Sequence, residues 1–238
     1  MRYIGFSTGA LARSDFRLAL DMLVDKSVNA VELSALRQEE LGPLVAELDR
    51  LDLSRFRYVS FHAPSSIEPS FEQTVLKLLA QVAPRGWPII VHPDAMLNPL
   101  EWGYLGDSLC IENMDKRKPI GQTARQLAEI FQVFPNASLC FDIGHARQVD
   151  PTMVEASVIL HTFRQRIRQL HVSEVNTQSK HDPLSLESIL AFHRVAHLLP
   201  TAAPIILESR VQESQIEEEI QSAINALSAQ QLLAVAGD

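Results

Sequence analysis

Short β-rich runs recur along this chain at a near-regular interval, and that rhythm constrains its fold more than any single motif. Eight can be read: RYIGFST, NAVELSA, YVSFHAP, PIIVHPD, SLCIENM, SLCFDIG, IRQLHVS and PIILESR. Between most of them lies a segment with helical spacing, as in SDFRLALDMLVDK, PSFEQTVLKLLAQV, TARQLAEIFQVF, PTMVEASVILHTFRQRI and LSLESILAFHRVAHLL. Strands that alternate with helices pair in parallel through crossovers. Eight such units in 238 residues fit a closed (β/α)8 barrel, with a doubly wound open sheet as the runner-up. After PIIVHPD only AMLNPLEWGYLGD is left before the next run, so the helix following the fourth strand is expected to be degenerate. No Gly-rich linker or low-complexity tract divides the chain, which reads as one α/β barrel domain over residues 1–238.

Composition narrows the classes of function. A hydrophobic fraction of 46% supports a sizeable core, and no apolar run reaches the roughly 18 residues of a membrane span. The opening MRYIGFSTGALARSD lacks the basic head and apolar stretch of a signal peptide. Cys110 and Cys140 sit inside strand-like runs, as reduced core residues of a cytoplasmic protein would. A formal net charge of −8 argues against nucleic acid as a general partner, although a local basic groove stays compatible with it. Part of the acid excess is the late run ESQIEEEI, a solvated helix face. The glycines of GFSTGAL lack the spacing of a dinucleotide site, and nothing resembles a P-loop.

Nearly every strand-like run closes on a residue able to bind a metal or move a proton: Glu32, His62, His92, Glu112, Asp142, His171 and Glu208, with His145 just past the sixth. In a barrel the C-terminal strand ends converge on one face, where active sites sit. Residues two apart on a strand share a side. Cys110 with Glu112, Cys140 with Asp142 and Ile206 with Glu208 would therefore each put an apolar residue below an acid, a dry interior under a polar mouth. Any one of these histidines alone is more simply a hydrogen-bonded structural residue. The joint placement is what favours a site. His161, His193 and His197 fall in helical segments and need no such role.

Several carboxylates in one pocket repel one another unless a cation neutralises them. A mixed Asp, Glu and His set suits Mn²⁺, Zn²⁺, Mg²⁺ or Fe²⁺ better than a thiolate-seeking ion. Asp142 is thus best explained as a metal ligand. Arg210, two residues beyond Glu208, either holds a substrate carboxylate or phosphate or pairs with an acid such as Glu32. Lys180 reads as a solvated lysine, and Asn113 as a side chain bonded to backbone at its strand end.

The segments SFHAP, IVHPD, CIENM, CFDIGHA, LHVSE and ILES resemble the strand ends of the xylose-isomerase-like TIM barrels, a superfamily of sugar isomerases, epimerases and the endonuclease IV family. The resemblance covers strands three to eight. Its sugar-epimerase pattern implies one divalent ion held by Glu112, Asp142, His171 and Glu208, with Glu112 and Glu208 exchanging a proton beside the substrate carbonyl. His145 would then bind a substrate oxygen, and His62, His92, His181 and Arg210 would complete the substrate site. The arginine that such epimerases often carry after the seventh-strand histidine is missing from HVSEVNTQSKHDP. The endonuclease IV pattern instead implies more than one zinc ion: a first on His62, His92 and Glu112, a second on Glu112, Asp142, His171 and Glu208, and a third using His145 and His181. Ser179 stands where that pattern places an acid. Few aromatics (6%), short loops and the acidic balance leave little to grip a duplex.

The leading expectation is a metal-dependent isomerase or epimerase of a small sugar or polyhydroxy carbonyl compound. An endonuclease IV-like zinc phosphodiesterase is the alternative, and a barrel that has lost catalysis is a third reading. No membrane partner is expected, and oligomerisation is left open.

Overall fold

The computed structural model describes residues 2–228. Eight strands, β1 Ile4–Ser7, β2 Ala30–Ser34, β3 Tyr58–His62, β4 Ile89–Val91, β5 Leu109–Glu112, β6 Ser138–Asp142, β7 Ile167–Val172 and β8 Ile205–Leu207, form a closed parallel barrel. Closure comes from β1, which pairs with β2 on one side and β8 on the other, so the open sheet is excluded. The helices lie outside. In chain order they are α1 Thr8–Ala12, α2 Phe16–Met22, α3 Gln38–Glu47, α4 Glu72–Val82, α5 Pro99–Trp102, α6 Ala124–Val133, α7 Ile143–Val149, α8 Val154–Phe163, α9 Leu186–Ala196 and α10 Ile216–Leu227. A two-stranded antiparallel ribbon, Glu174–Val175 with His181–Asp182, stands between β7 and α9.

Strand alternation separates two packing layers. Phe6, Val31, Leu33, Phe61, Ile89, Leu109, Ile111, Leu139, Phe141, Leu170, Leu207 and their neighbours face the helices and join one large apolar core. The intervening residues face the barrel axis. There Ile90, Cys110 and Cys140 form a separate, fully buried cluster, the dry floor anticipated from the sequence. Above it the interior turns polar.

The helix after β4 is a stub. Three residues of 3-10 turn, the four-residue α5 and a further 3-10 segment replace it, in a stretch punctuated by Pro93 and Pro99. The buried indole of Trp102 fills the space, and its Nε1 donates to Glu72 at 2.9 Å. The same carboxylate accepts the backbone N–H groups of Leu97 and Asn98 at 2.7 and 2.9 Å. One buried acid on α4 thereby satisfies a loop that has no helix of its own.

One irregularity aims the site. Between β6 and β7 the register runs Leu139 to Ile167, then Cys140 to Gln169, which leaves Arg168 as an extra residue. This bulge sets Asp142 opposite His171. An unbroken register would have put Leu170 there, with its side chain toward the helices.

Candidate metal centre at the barrel mouth

Glu112, at the end of β5, is the hub of the mouth. Its Oε1 lies 3.0 Å from His171 Nδ1 and 3.5 Å from His145 Nδ1. Its Oε2 lies 3.2 Å from His62 Nε2 and 3.1 Å from His92 Nε2. Four imidazoles, three of them at strand ends and His145 in the first turn of α7, thus converge on one carboxylate that is 1% exposed. Glu208, just past β8, stands nearer the rim, 3.6 Å from His171 Nδ1 and 3.3 Å from His181 Nδ1.

Local structure fixes each donor. Asp142 ends β6 and caps α7, its Oδ1 accepting His145 N–H at 2.6 Å. Asn113 grips the Asp142 backbone from both sides, donating to its carbonyl and accepting its N–H, each at 2.8 Å. That is the backbone role expected of Asn113. The turn into α7 needs Gly144, because a Cβ there would lie 2.4 Å from the Ser173 carbonyl oxygen. The His62 and His145 rings each set Nδ1 against a backbone carbonyl, of Ala63 at 2.7 Å and Asn113 at 2.9 Å. With Nδ1–H donated to backbone, Nε2 is the nitrogen left for a ligand once its proton is released.

Beneath this tier lies a support that sequence reasoning placed at the wrong depth. Glu32 was expected at the mouth, but β2 runs on to Ser34, so Glu32 sits lower in the barrel. Its Oε2 meets His171 Nε2 at 3.0 Å and accepts from Gln169 Nε2 at 2.7 Å and Ser60 Oγ at 3.0 Å. Tyr58 donates to Gln169 Oε1 at 2.7 Å. With His171 Nε2–H donated to Glu32, Nδ1 faces Glu112 and Glu208 and becomes free to ligate once its own proton leaves. No pair forms between Glu32 and Arg210; Arg210 stands at the rim. Gln169, Ser60 and Tyr58 were missed, although Gln169, two residues before His171, had the spacing to reveal it.

The expected residues meet. His62, His92, Glu112, His145, His181, Glu208 and Arg210 all line one cavity of about 600 Å³ at the C-terminal end of the strands, with Asp142 and His171 in the layer below. Lys180 lines it too. Ser179 does not join the donors: its Oγ donates to Asp115 at 3.0 Å. Asp182 bonds to Asn176 within the ribbon. A carboxylate is nevertheless present in the third donor group, because Asp142 itself stands with His145 and His181. Asp115, Arg117 and Lys118 were not anticipated, although the basic run DKRK signalled them. The Asp115 carboxylate accepts from Arg117 Nε and Nη2 at 3.0 and 3.1 Å, and Lys118 bridges Asp94 and the Ser65 carbonyl.

The electrostatics are those of a site that calls for a cation. Burial alone would raise the Glu112 carboxyl, but the His171, His62 and His92 rings outweigh it and hold Glu112 well below the usual carboxylate range. Burial pushes Glu208 up to about 7, with the charges of Glu112, Asp142 and Glu32 adding to it against His171. Asp142 is raised, also chiefly by burial. Burial works against the charged form of His62, yet its acidic neighbours, Glu112 first, bring it up to about 9. His181, buried and beside His145, falls to about 3 and is a neutral imidazole at ordinary pH.

The donors fit a divalent ion. Glu112, Asp142, His171 and Glu208 each offer a ligand atom within 4.8 Å of the others. The same holds for His62, His92 and Glu112, and for Asp142, His145 and His181. Asp142 Oδ2 is buried with no hydrogen-bond partner, a state that costs about 1–3 kcal/mol or more and that a coordinated cation relieves.

A parallel eight-stranded barrel whose strand ends converge on carboxylates and imidazoles defines the class of protein. The sequence model of the xylose isomerase-like TIM barrel family matches residues 105–230, more than half of the chain, and the chain belongs to that family. None of the curated proteins matches the sequence. Among solved structures, a xylose isomerase domain protein from Alicyclobacillus acidocaldarius superposes with a TM-score of 0.62 at 12% identity, over 95% of this chain and 98% of that one. Endonuclease IV from Thermus thermophilus gives 0.60 at 14% identity, over 93% and 98%. The 3-keto-D-glucoside 4-epimerase of E. coli gives 0.54 at 12% identity, over 93% and 98%. At these identities the likeness is one of fold. Among the described residues no helix is long and apolar enough to cross a membrane.

Proposed function

We propose that this chain is a divalent-metal-dependent isomerase or epimerase of a small sugar or polyhydroxy carbonyl compound, with Glu112 and Glu208 as its proton-transfer pair and Glu112, Asp142, His171 and Glu208 as its metal ligands. The observation that carries this is geometric. Glu112 at the end of β5 and Glu208 just past β8 come from separate strands, yet their carboxylates both approach His171 Nδ1, at 3.0 and 3.6 Å, and share one donor group with Asp142. Two carboxylates brought together at one mouth can serve as a proton-transfer pair. What a divalent ion supplies here, when bound, is Lewis-acid polarisation of a carbonyl oxygen. Glu208 then takes or returns the proton on the neighbouring carbon from the rim, and Glu112 serves from the deeper side. His62, His92, His145 and His181, which line the same cavity, orient substrate hydroxyls. The Asp115–Arg117 pair holds the loop after β5 against Ser179 at the edge of that cavity. The substrate is a soluble small molecule, and the protein acts in the cytoplasm.

The test is solvent deuterium uptake at a substrate carbon across a panel of aldoses and ketoses, using metal-loaded protein. The reading predicts uptake that is lost in Glu208→Gln. Turnover with no deuterium incorporated would overturn it.

A second reading has its own observation. Glu112 belongs to two of the donor groups and Asp142 to two, so the mouth can share its carboxylates among several ions. Such bridging suits hydrolysis of a phosphate ester, in which more than one ion flanks the reacting phosphate. More than one tightly held zinc per chain, together with incision of an abasic duplex, would favour it over isomerisation.

A further inference from the structure

The mouth is charged unevenly, and the asymmetry points to a particular kind of substrate. On the side of β1, β2 and β8 the main cavity opens into a second cleft of about 390 Å³, lined by Gly9, Arg13, Leu36, Arg37, Glu40 and Arg210. Gly9, Leu36 and Arg210 line both spaces, so the two are continuous. The cleft holds three guanidinium groups against one carboxylate. Arg37 reaches that carboxylate, Glu40, at 3.5 Å. Among the described residues the side chains of Arg13 and Arg210 have neither a hydrogen bond nor an ion pair. Arg17, Arg85, Arg117 and Arg147 are each paired to an acid. Among the described residues Arg57, Arg168 and Arg194 share the unpaired state of Arg13 and Arg210, so what sets the cleft apart is that three guanidiniums line one space.

The backbone adds to the argument. Arg13 closes α1 at φ 56 and ψ −119, a conformation that glycine adopts freely and an arginine only under strain. The chain nevertheless carries a guanidinium there. Gly9, which lines both spaces, has no room for a side chain: a Cβ there would lie 2.8 Å from the Leu36 side chain.

We propose that the cleft of Arg13, Arg37 and Arg210 binds the terminal phosphate of a phosphorylated polyhydroxy substrate whose carbonyl end lies in the main cavity. Three guanidiniums against one carboxylate leave two positive charges, the complement of a phosphate monoester dianion and more than a lone carboxylate requires. Arg210 lies two residues beyond Glu208, and both line the main cavity, so the cleft adjoins the space that holds the acid-base carboxylate. A sugar carbon chain can reach from one to the other. This inference rests on the isomerase reading for the position of the carbonyl, but the phosphate site is separable from it.

Isothermal titration of metal-loaded protein provides the test, with ribose 5-phosphate, glucose 6-phosphate and glycerol 3-phosphate set against ribose, glucose and glycerol. At least one phosphorylated member is expected to bind ten or more times more tightly than its free counterpart, with affinity falling as salt is raised. In the double variant Arg13→Ala/Arg210→Ala the difference should disappear while metal content is unchanged. Arg13→Gly relieves the backbone and should melt at or above the temperature of the wild type, yet still weaken the phosphorylated ligand severalfold. A purely structural Arg13 would not split in that way. Equal binding of both series, binding of neither, or a phosphate preference that survives the double variant would overturn the proposal. Failure of the isomerase reading looks different: no proton exchange, with the phosphate preference intact.

Discussion

The two halves of the barrel mouth are built on opposite principles. On the side of β3 to β7, Glu112 and its imidazoles are buried and interlocked, with ring nitrogens directed by backbone carbonyls and by Glu32. On the side of β8, β1 and β2 the polar residues are fewer, Ser7 bonds to Ser34 at 2.7 Å, and Arg13 and Arg210 extend into open space. A site that must hold an ion in fixed geometry is over-determined by its supporting shell. A site that must admit and release a ligand keeps its charge unspent. The contrast teaches that substitutions among the interlocked donors should damage fold and metal together, and at Arg13, Arg37 and Arg210 ligand binding alone.

The largest effect should come from the hub. Glu112→Ala leaves the His62, His92 and His171 rings facing one another without their carboxylate. Breaking a buried charged cluster costs about 3–5 kcal/mol, and Mn²⁺ affinity should fall by at least about 100-fold. Denaturant unfolding and metal titration check both; a variant that keeps wild-type metal affinity would erase the distinction between the halves. Glu208→Gln comes next. It should reduce kcat by about 10²–10⁴-fold with the fold intact, read as loss of solvent exchange.

Proton competition gives a graded effect. In the metal-free site His62 is raised to about 9, and His145 and His171 are also raised. Their protons must leave before the rings can ligate. Metal affinity should therefore fall as pH falls, by about tenfold per unit for each proton displaced. Titrations at pH 8 and pH 6 measure it; an affinity independent of pH would mean that the imidazoles are not ligands.

The smallest effect concerns the loop clamp. Asp115 is brought down to about 2: burial opposes this, and Arg117 outweighs it. A depressed carboxyl stabilises above its unfolded value near 4, and that contribution is lost as pH falls toward 2. Arg117 is largely exposed, so Arg117→Ala should cost only about 0.5–1 kcal/mol at pH 7. The difference from wild type should shrink in acid, as followed by denaturant midpoints.

Much of this was legible in the sequence, for physical reasons. The strand–helix rhythm reports a barrel because parallel strands require crossovers, and residues at strand ends report a site because closure brings those ends together. Depth was not legible. Glu32 reads like the other strand-end acids, and only the further run of β2 to Ser34 lowers it beneath His171. Nor was the bulge at Arg168, since periodicity within a strand says nothing about its neighbour's register. The cationic cleft was hidden for a similar reason. Arg13 and Arg37 lie in loops after different strands, and the positive φ of Arg13 leaves no mark in the residue pattern.

The claim beneath all of this is that acids and imidazoles from separate strands hold one divalent ion in common. Equilibrium dialysis of Mn²⁺ against the wild type and Asp142→Ala addresses it most directly, because Asp142 Oδ2 is a buried oxygen without a hydrogen-bond partner and Asp142 belongs to two of the donor groups. The account predicts at least one tightly bound ion per wild-type chain and a drop of about 100-fold or more in the variant. Equal and weak binding by both proteins would contradict it.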